Sequence, residues 1–355
     1  MSETAAPSGE VKFAADMSRG FTEWLASHKV SLAVTTYQAG KVLLFGVDAD
    51  GKFWMHNRNI GRCLGLAADA QGFWVTSDVQ LHRFDNLLVN GERDASGCDA
   101  VYAPRFSYVT GDLDIHDIGI DERGAPVFVN TLFNCLAGPS PFYSFEPVWR
   151  PPFISALKAE DRCHLNGLAM RDSKPAFVTA SSTSDTYDGW RSQRRDGGVV
   201  VDVASGEIAA RGLSMPHSPR WYQDRLWVLN SGEGEFGFID FATGKFEAVA
   251  FCPGYLRGLS FIAGHAVVGL SLPRGNKTFS GLELDEKLRQ RSIEPRCGLY
   301  FIDLRTGSIV HSVVLSGVVS ELYDVAVLPG VRQPAMVGFT GPEIKRMISV
   351  PPVRQ

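Results

Sequence analysis

Three of the eight histidines stand at matching places in the chain: IHDIG carries His116, CHLNG carries His164 and PHSPR carries His217. Three neutral imidazoles joined by a carboxylate would hold a divalent transition metal such as Fe, Zn, Cu or Mn. His116, His164 and His217 are the expected ligands, with Asp117, Asp324 or Glu321 supplying oxygen. A metal so held would polarise a carbonyl or activate water or dioxygen. Two other readings stand beside this one. The imidazoles would hydrogen-bond channel residues or cap strand starts, or His164 or His116 would act with Asp117 as a metal-free acid–base site. The placement is not perfectly regular. His116 and His217 precede a recurring segment by one residue and His164 by two, and side chains alternate along a strand.

Those recurring segments are the elements that must gather the histidines. An apolar strand, a turn and a second strand ending in small or polar residues repeat from Leu64, Asp117, Asn166, Ser218, Arg257 and Asp324. The starts are 53, 49, 52, 39 and 67 residues apart, near the ~40–50 residues of a four-stranded propeller blade. Further hairpins fill the intervals at 199–213, 236–251 and 297–315. Each turns at Asp and Gly, residues that tolerate the positive φ of tight turns. The last repeat contributes two strands and stops, whereas 32–59 has strands without a repeat start. Joining the two would close a ring and remove exposed edges. The fold expected is all-β: one six-bladed propeller over 31–350, with seven blades the alternative. Residues 1–15 read as a disordered tail. Residues 16–30 read as a short amphipathic helix with Met17, Phe21, Trp24 and Leu25 on one face.

In a propeller the start of each innermost strand lies at one mouth of the central channel. Asp117, Asn166, Arg257 and Asp324 would therefore meet there, and such groups are costly to bury unless they pair or bind something. They are the expected catalytic residues, with Arg257 orienting an anionic group or stabilising developing negative charge. Long loops at 130–153, 181–198 and 272–298 follow inner hairpins and would roof the mouth. Asn130, Asn134, Trp190, Arg191 and Asn230 are the expected substrate contacts. His56, His82, His265 and His311 read as structural.

Composition limits the partners. The 355 residues carry a net charge of -4, without the basic excess expected for nucleic acid or an anionic membrane. A 45% hydrophobic, 21% charged chain is ordinary for a cored protein. The 36 Gly and 19 Pro are scattered, which favours many short strands over long helices. No basic-then-apolar leader and no apolar run of spanning length is visible. A cytoplasmic location and reduced thiols are expected, the six cysteines showing no C-x-x-C spacing. A redox or ligand role for Cys135 or Cys163 is the minor alternative. Phosphate-loop and G-x-S-x-G signatures are absent.

NGLA at 166–169, with Asp117 and Asp324 in sister repeats, resembles the gluconolactonase and strictosidine-synthase-like six-bladed propellers. That resemblance implies an Asn and carboxylates around a divalent metal at the channel mouth; the added histidines would suit a softer metal. The chain from about residue 20 to 350 is similar to a bacterial family of uncharacterised conserved hypothetical proteins through HDIG, HLNGLA and PHSPRW. The combined expectation is a metal-dependent enzyme acting on a small molecule or peptide, by lactonase- or esterase-like hydrolysis or by metal-centred oxidation. The alternative is a non-catalytic ligand- or protein-binding propeller.

Overall fold

A computed structural model describes residues 13–89, 91–273, 281–348 and 350. Six sheets form a six-bladed propeller. Blade 1 has its innermost strand at Val325–Pro329, followed outward by Val30–Thr35, Lys41–Val47 and Phe53–Asn59. The innermost strands of blades 2 to 6 are Leu66–Ala68, Ile115–Ile120, Leu165–Arg171, Pro216–Tyr222 and Tyr255–Ile262. Five of the six recurring segments therefore form inner hairpins, and the sixth, from Asp324, supplies only the innermost strand of blade 1. Among the described residues no helix is long and apolar enough to cross a membrane.

The core lies between blades rather than at the axis. Val129 and Leu136 of blade 3, for example, pack on Leu165, Leu168, Val178 and Val199 of blade 4, all buried. Burying each such side chain contributes about 1.5–3 kcal/mol before ordering costs. Hydroxyls pin neighbouring blades at the mouth. Thr35 donates to the Leu64 carbonyl at 2.6 Å, Thr131 to Leu165 at 2.6 Å, Ser231 to Leu256 at 2.7 Å and Ser271 to Leu322 at 2.8 Å. These are the small polar residues with which the second strands end.

Ring closure differs from expectation in one respect. The C-terminal segment gives blade 1 one strand, pairing Val30 with Pro329 and Val34 with Val325. Its second strand, Pro334–Met336, leaves the blade and runs parallel to the outer strand Ala100–Val109 of blade 2. The place beside Val325–Pro329 is already filled by Val30–Thr35, and Pro lacks the N–H an interior strand needs. The Trp54 indole donates to the Pro334 carbonyl at 2.7 Å, fixing the crossing.

The N-terminus also departs. Ala14–Met17 is a strand on the outer edge of blade 6, pairing Ala14 with Ser316 and Met17 with Val313. The expected tail 1–15 thus gives way to structure at residues 14 and 15, while 1–12 lie outside the described residues. The helix begins at Phe21, because Gly20 takes φ +77° and breaks the run. Phe21 and Leu25 are buried against Phe45 and Phe301, at the seam where the ring closes. Met17 faces outward from the strand.

Candidate active site at the channel mouth

The three histidines do converge at one mouth. His116 is the second residue of its innermost strand, His164 immediately precedes the next and His217 is the second residue of the third. All three are buried. The His116 and His164 rings meet edge to face at 4.9 Å, and the His217 ring lies 5.5 Å from Tyr255. Arg257 lies over Tyr323 at 4.6 Å and Tyr255 at 5.2 Å, a cation–aromatic arrangement that keeps its charge in the mouth. Its field reaches both His116 and His217.

Each imidazole is anchored through Nδ1. His116 Nδ1 lies 2.8 Å from the Asp114 carbonyl and 2.9 Å from Thr131 Oγ1. His217 Nδ1 lies 2.8 Å from the Met215 carbonyl, the same two-residue bond one blade pair further on. A carbonyl can only accept, so both rings carry their proton on Nδ1 and leave Nε2 as an acceptor. His217 Nε2 is buried with no hydrogen-bond partner. His164 differs: its Nδ1 lies 2.9 Å from Asp161 Oδ2, which also accepts the Trp190 indole N–H at 2.9 Å. Trp190 stacks on the His164 ring at 4.0 Å.

Burial first, then the Arg257 charge and neighbouring rings, hold His217 well below the usual histidine range. Burial likewise pushes His116 down to about 4 against the pull of Asp114. Both are therefore neutral at physiological pH. For Asp161 burial works upward, but the His164 ring and the Trp190 N–H outweigh it and keep the carboxyl below the ordinary carboxylate range. The local backbone is unusual. Asp114, Asp161, His164 and Met215 all have φ between 39° and 52°, a left-handed conformation that costs such residues of order 1–3 kcal/mol and clusters at functional sites.

Asp117 and Asp324, expected as ligands or bases, serve elsewhere. They lie deeper, paired with Arg220, which the sequence reading did not single out. Arg220 Nη1 reaches Asp117 Oδ2 at 2.7 Å, and Nη2 reaches Asp117 Oδ1 at 3.1 Å and Asp324 Oδ1 at 3.4 Å. Arg220 Nε donates to the Leu259 carbonyl at 3.1 Å. The carboxylates also accept backbone N–H groups: Leu168 on Asp117 and Leu66 on Asp324, each at 3.0 Å. Asp117, Arg220 and Asp324 come from blades 3, 5 and 1, while Leu66, Leu168 and Leu259 come from blades 2, 4 and 6. One ionic clasp thus ties all six blades on the axis. Asn166 sits beside it, accepting the Thr179 hydroxyl at 2.9 Å.

The expected substrate contacts divide. Trp190 is in the site. Arg191 stacks on Trp190 at 4.5 Å, pairs with Asp188 and is exposed. Asn130, Asn134 and Asn230 are buried, with carboxamide oxygens accepting from Phe133, Cys163 and Ser214 backbone N–H groups. Their polar ends hold turns beneath the mouth. The loop 130–153 contains the two outer strands of blade 3, Cys135–Gly138 and Glu146–Trp149. In 272–298, residues 274–280 lie outside the described residues, and Glu283–Arg291 forms a helix. The six cysteines are free and buried, and burial pushes Cys135 up to about 12.

A transition metal would need three grouped donors. Among the described residues no three His, Cys, Asp or Glu side chains are placed to hold one, and Asp117 and Asp324 are committed to Arg220. The donor set does not fit the expected metal.

The chain belongs to the family described as "Domain of unknown function (DUF4915)", whose model matches residues 19–337. No curated protein matches the sequence. Among solved structures, the nidogen/laminin complex aligns at a TM-score of 0.48 and 10% identity, covering 85% of this chain and 98% of that one. Virginiamycin B lyase from Staphylococcus aureus aligns at 0.38 and 12% identity, covering 86% and 99%. A protein of unknown function from Bacteroides caccae aligns at 0.37 and 8%, covering 84% and 98%.

Proposed function

We propose that the histidine mouth binds a small molecule bearing an anionic or carbonyl oxygen and carries out acid–base chemistry on it without a metal. The observation that carries this reading is the His164–Asp161 pair, locked by Trp190, beside His116 and the Arg257 charge. Asp161 occupies the Nδ1 side of His164, which leaves Nε2 as the atom that would take a proton from substrate or from an attacking water. Arg257 would hold the oxygen on which negative charge builds. His116 and His217 offer Nε2 as acceptors for a substrate hydroxyl. Hydrolysis of a lactone or ester fits these roles, with His164 as base toward water and Arg257 opposing the oxyanion.

The test is NMR-monitored turnover of a panel of small lactones, esters and hydroxy acids by protein stripped with a chelator. Turnover should survive stripping, fall at least about 100-fold in His164→Gln and show a raised KM in Arg257→Gln. Activity that returns only with an added transition metal would overturn the metal-free reading. Saturable binding without turnover, lost in Arg257→Gln, would leave a ligand-binding propeller.

A further inference from the structure

The channel has a second mouth, and the ionic clasp separates it from the first. At the ends of the innermost strands lies a cavity of about 430 Å³ lined by Ile118, Met170, Trp221, Phe261 and Val327, with Arg220 among its walls. The Arg220 guanidinium reaches carboxylates of blades 1 and 3 and backbone carbonyls of Leu168, Pro219 and Leu259 in blades 4, 5 and 6. Partners on five blades surround the axis, so the guanidinium plane lies across the channel and its faces look along it. Its side chain keeps 20% exposure. Every edge of the group is occupied, so an incoming molecule meets the face of the cation and not a hydrogen-bond donor.

We infer that this mouth is a second ligand site, independent of the histidine mouth, for a flat aromatic molecule that stacks on Arg220. A cation's face attracts the electron-rich face of a ring, and the planar guanidinium is the cation suited to stacking. The wall carries apolar side chains beside polar groups, so a ring gains burial against Ile118, Met170, Phe261 and Val327 as well. A carboxylate ligand is disfavoured, because the donors it would need are taken and Asp117 and Asp324 lie directly behind them.

The probes are 2-naphthol and its saturated counterpart decahydro-2-naphthol, with binding followed by saturation-transfer NMR and by the Met170 methyl resonance. 2-Naphthol should bind at least five-fold more tightly and shift the Met170 methyl. Ser260→Phe, which fills the cavity without touching the clasp, should abolish that shift while leaving Tm near the wild-type value. Equal affinity for the two probes, no binding at millimolar concentration or an unmoved Met170 methyl would each overturn the inference. These readouts on the wild-type protein decide it even if Ser260→Phe does not fold.

Discussion

At the residue scale, the site is set by what each imidazole's Nδ1 touches. A carboxylate partner makes His164 different from His116 and His217, whose partners are backbone carbonyls. Asp161→Asn removes the charge that serves both His164 and Trp190. Hydrogen bonds to charged groups contribute about 1.5–3 kcal/mol, so urea unfolding should show a loss of that size with the fold retained. A loss under about 0.5 kcal/mol would show that Asp161 does not organise the mouth. The thiols give a second check. The reactive form is the thiolate, which burial disfavours, so Cys135 and Cys163 should resist a disulfide reagent at pH 8 until the chain unfolds. The histidines were legible because each stands at a repeat start. Asp161 was visible three residues before His164, in DRCHLNG, but no repeat marks it. Arg220 escaped notice because its partners are 103 and 104 residues away, a pairing that only ring closure creates.

At the element scale, the second strand of four of the six blades ends where a hydroxyl pins the next blade. Thr131 does this and also touches His116, so it couples blade packing to the site. Thr131→Val keeps the shape but leaves the buried Leu165 carbonyl without that donor. The expected cost is about 1–3 kcal/mol, read by denaturant unfolding, with a chemical-shift change at His116. The inner hairpins were readable from periodicity, because apolar alternation and Gly-containing turns are local. The edge strands were not. Ala14–Met17 and Pro334–Met336 are four and three residues long and have no pattern of their own. They are strands because a blade edge 200 or more residues away offers them hydrogen bonds. The loop 130–153 hid two blade strands for a related reason: proline and aromatics masked its short alternation.

At the scale of the whole molecule, the axial clasp makes closure sensitive to pH. Burial, with Asp117 nearby and against the pull of Arg220, lifts the Asp324 carboxyl from 3.8 to about 7. The folded chain therefore holds a proton that the unfolded chain releases between those values. This contribution is complete below about 3.8 and is lost as pH rises through about 7. Thermal unfolding should show this contribution to wild-type stability falling from pH 5 to pH 7, and Asp324→Asn should lessen that fall. A variant that declines as steeply as the wild type would remove Asp324 as the cause. The breakers scattered through the sequence already implied one ring over two domains. Local pattern could not show that two carboxylates and one guanidinium sit together at its centre.

The histidine mouth presents His116 and His217 as neutral, Nδ1-protonated imidazoles beside the Arg257 cation. Long-range ¹H–¹⁵N NMR of the histidine side chains, recorded from pH 8 to pH 5 on chelator-treated protein, tests it most directly. His116 and His217 should remain neutral Nδ1–H tautomers throughout, consistent with His116 held down to about 4. Either ring becoming an imidazolium above pH 6, or carrying its proton on Nε2, would contradict it.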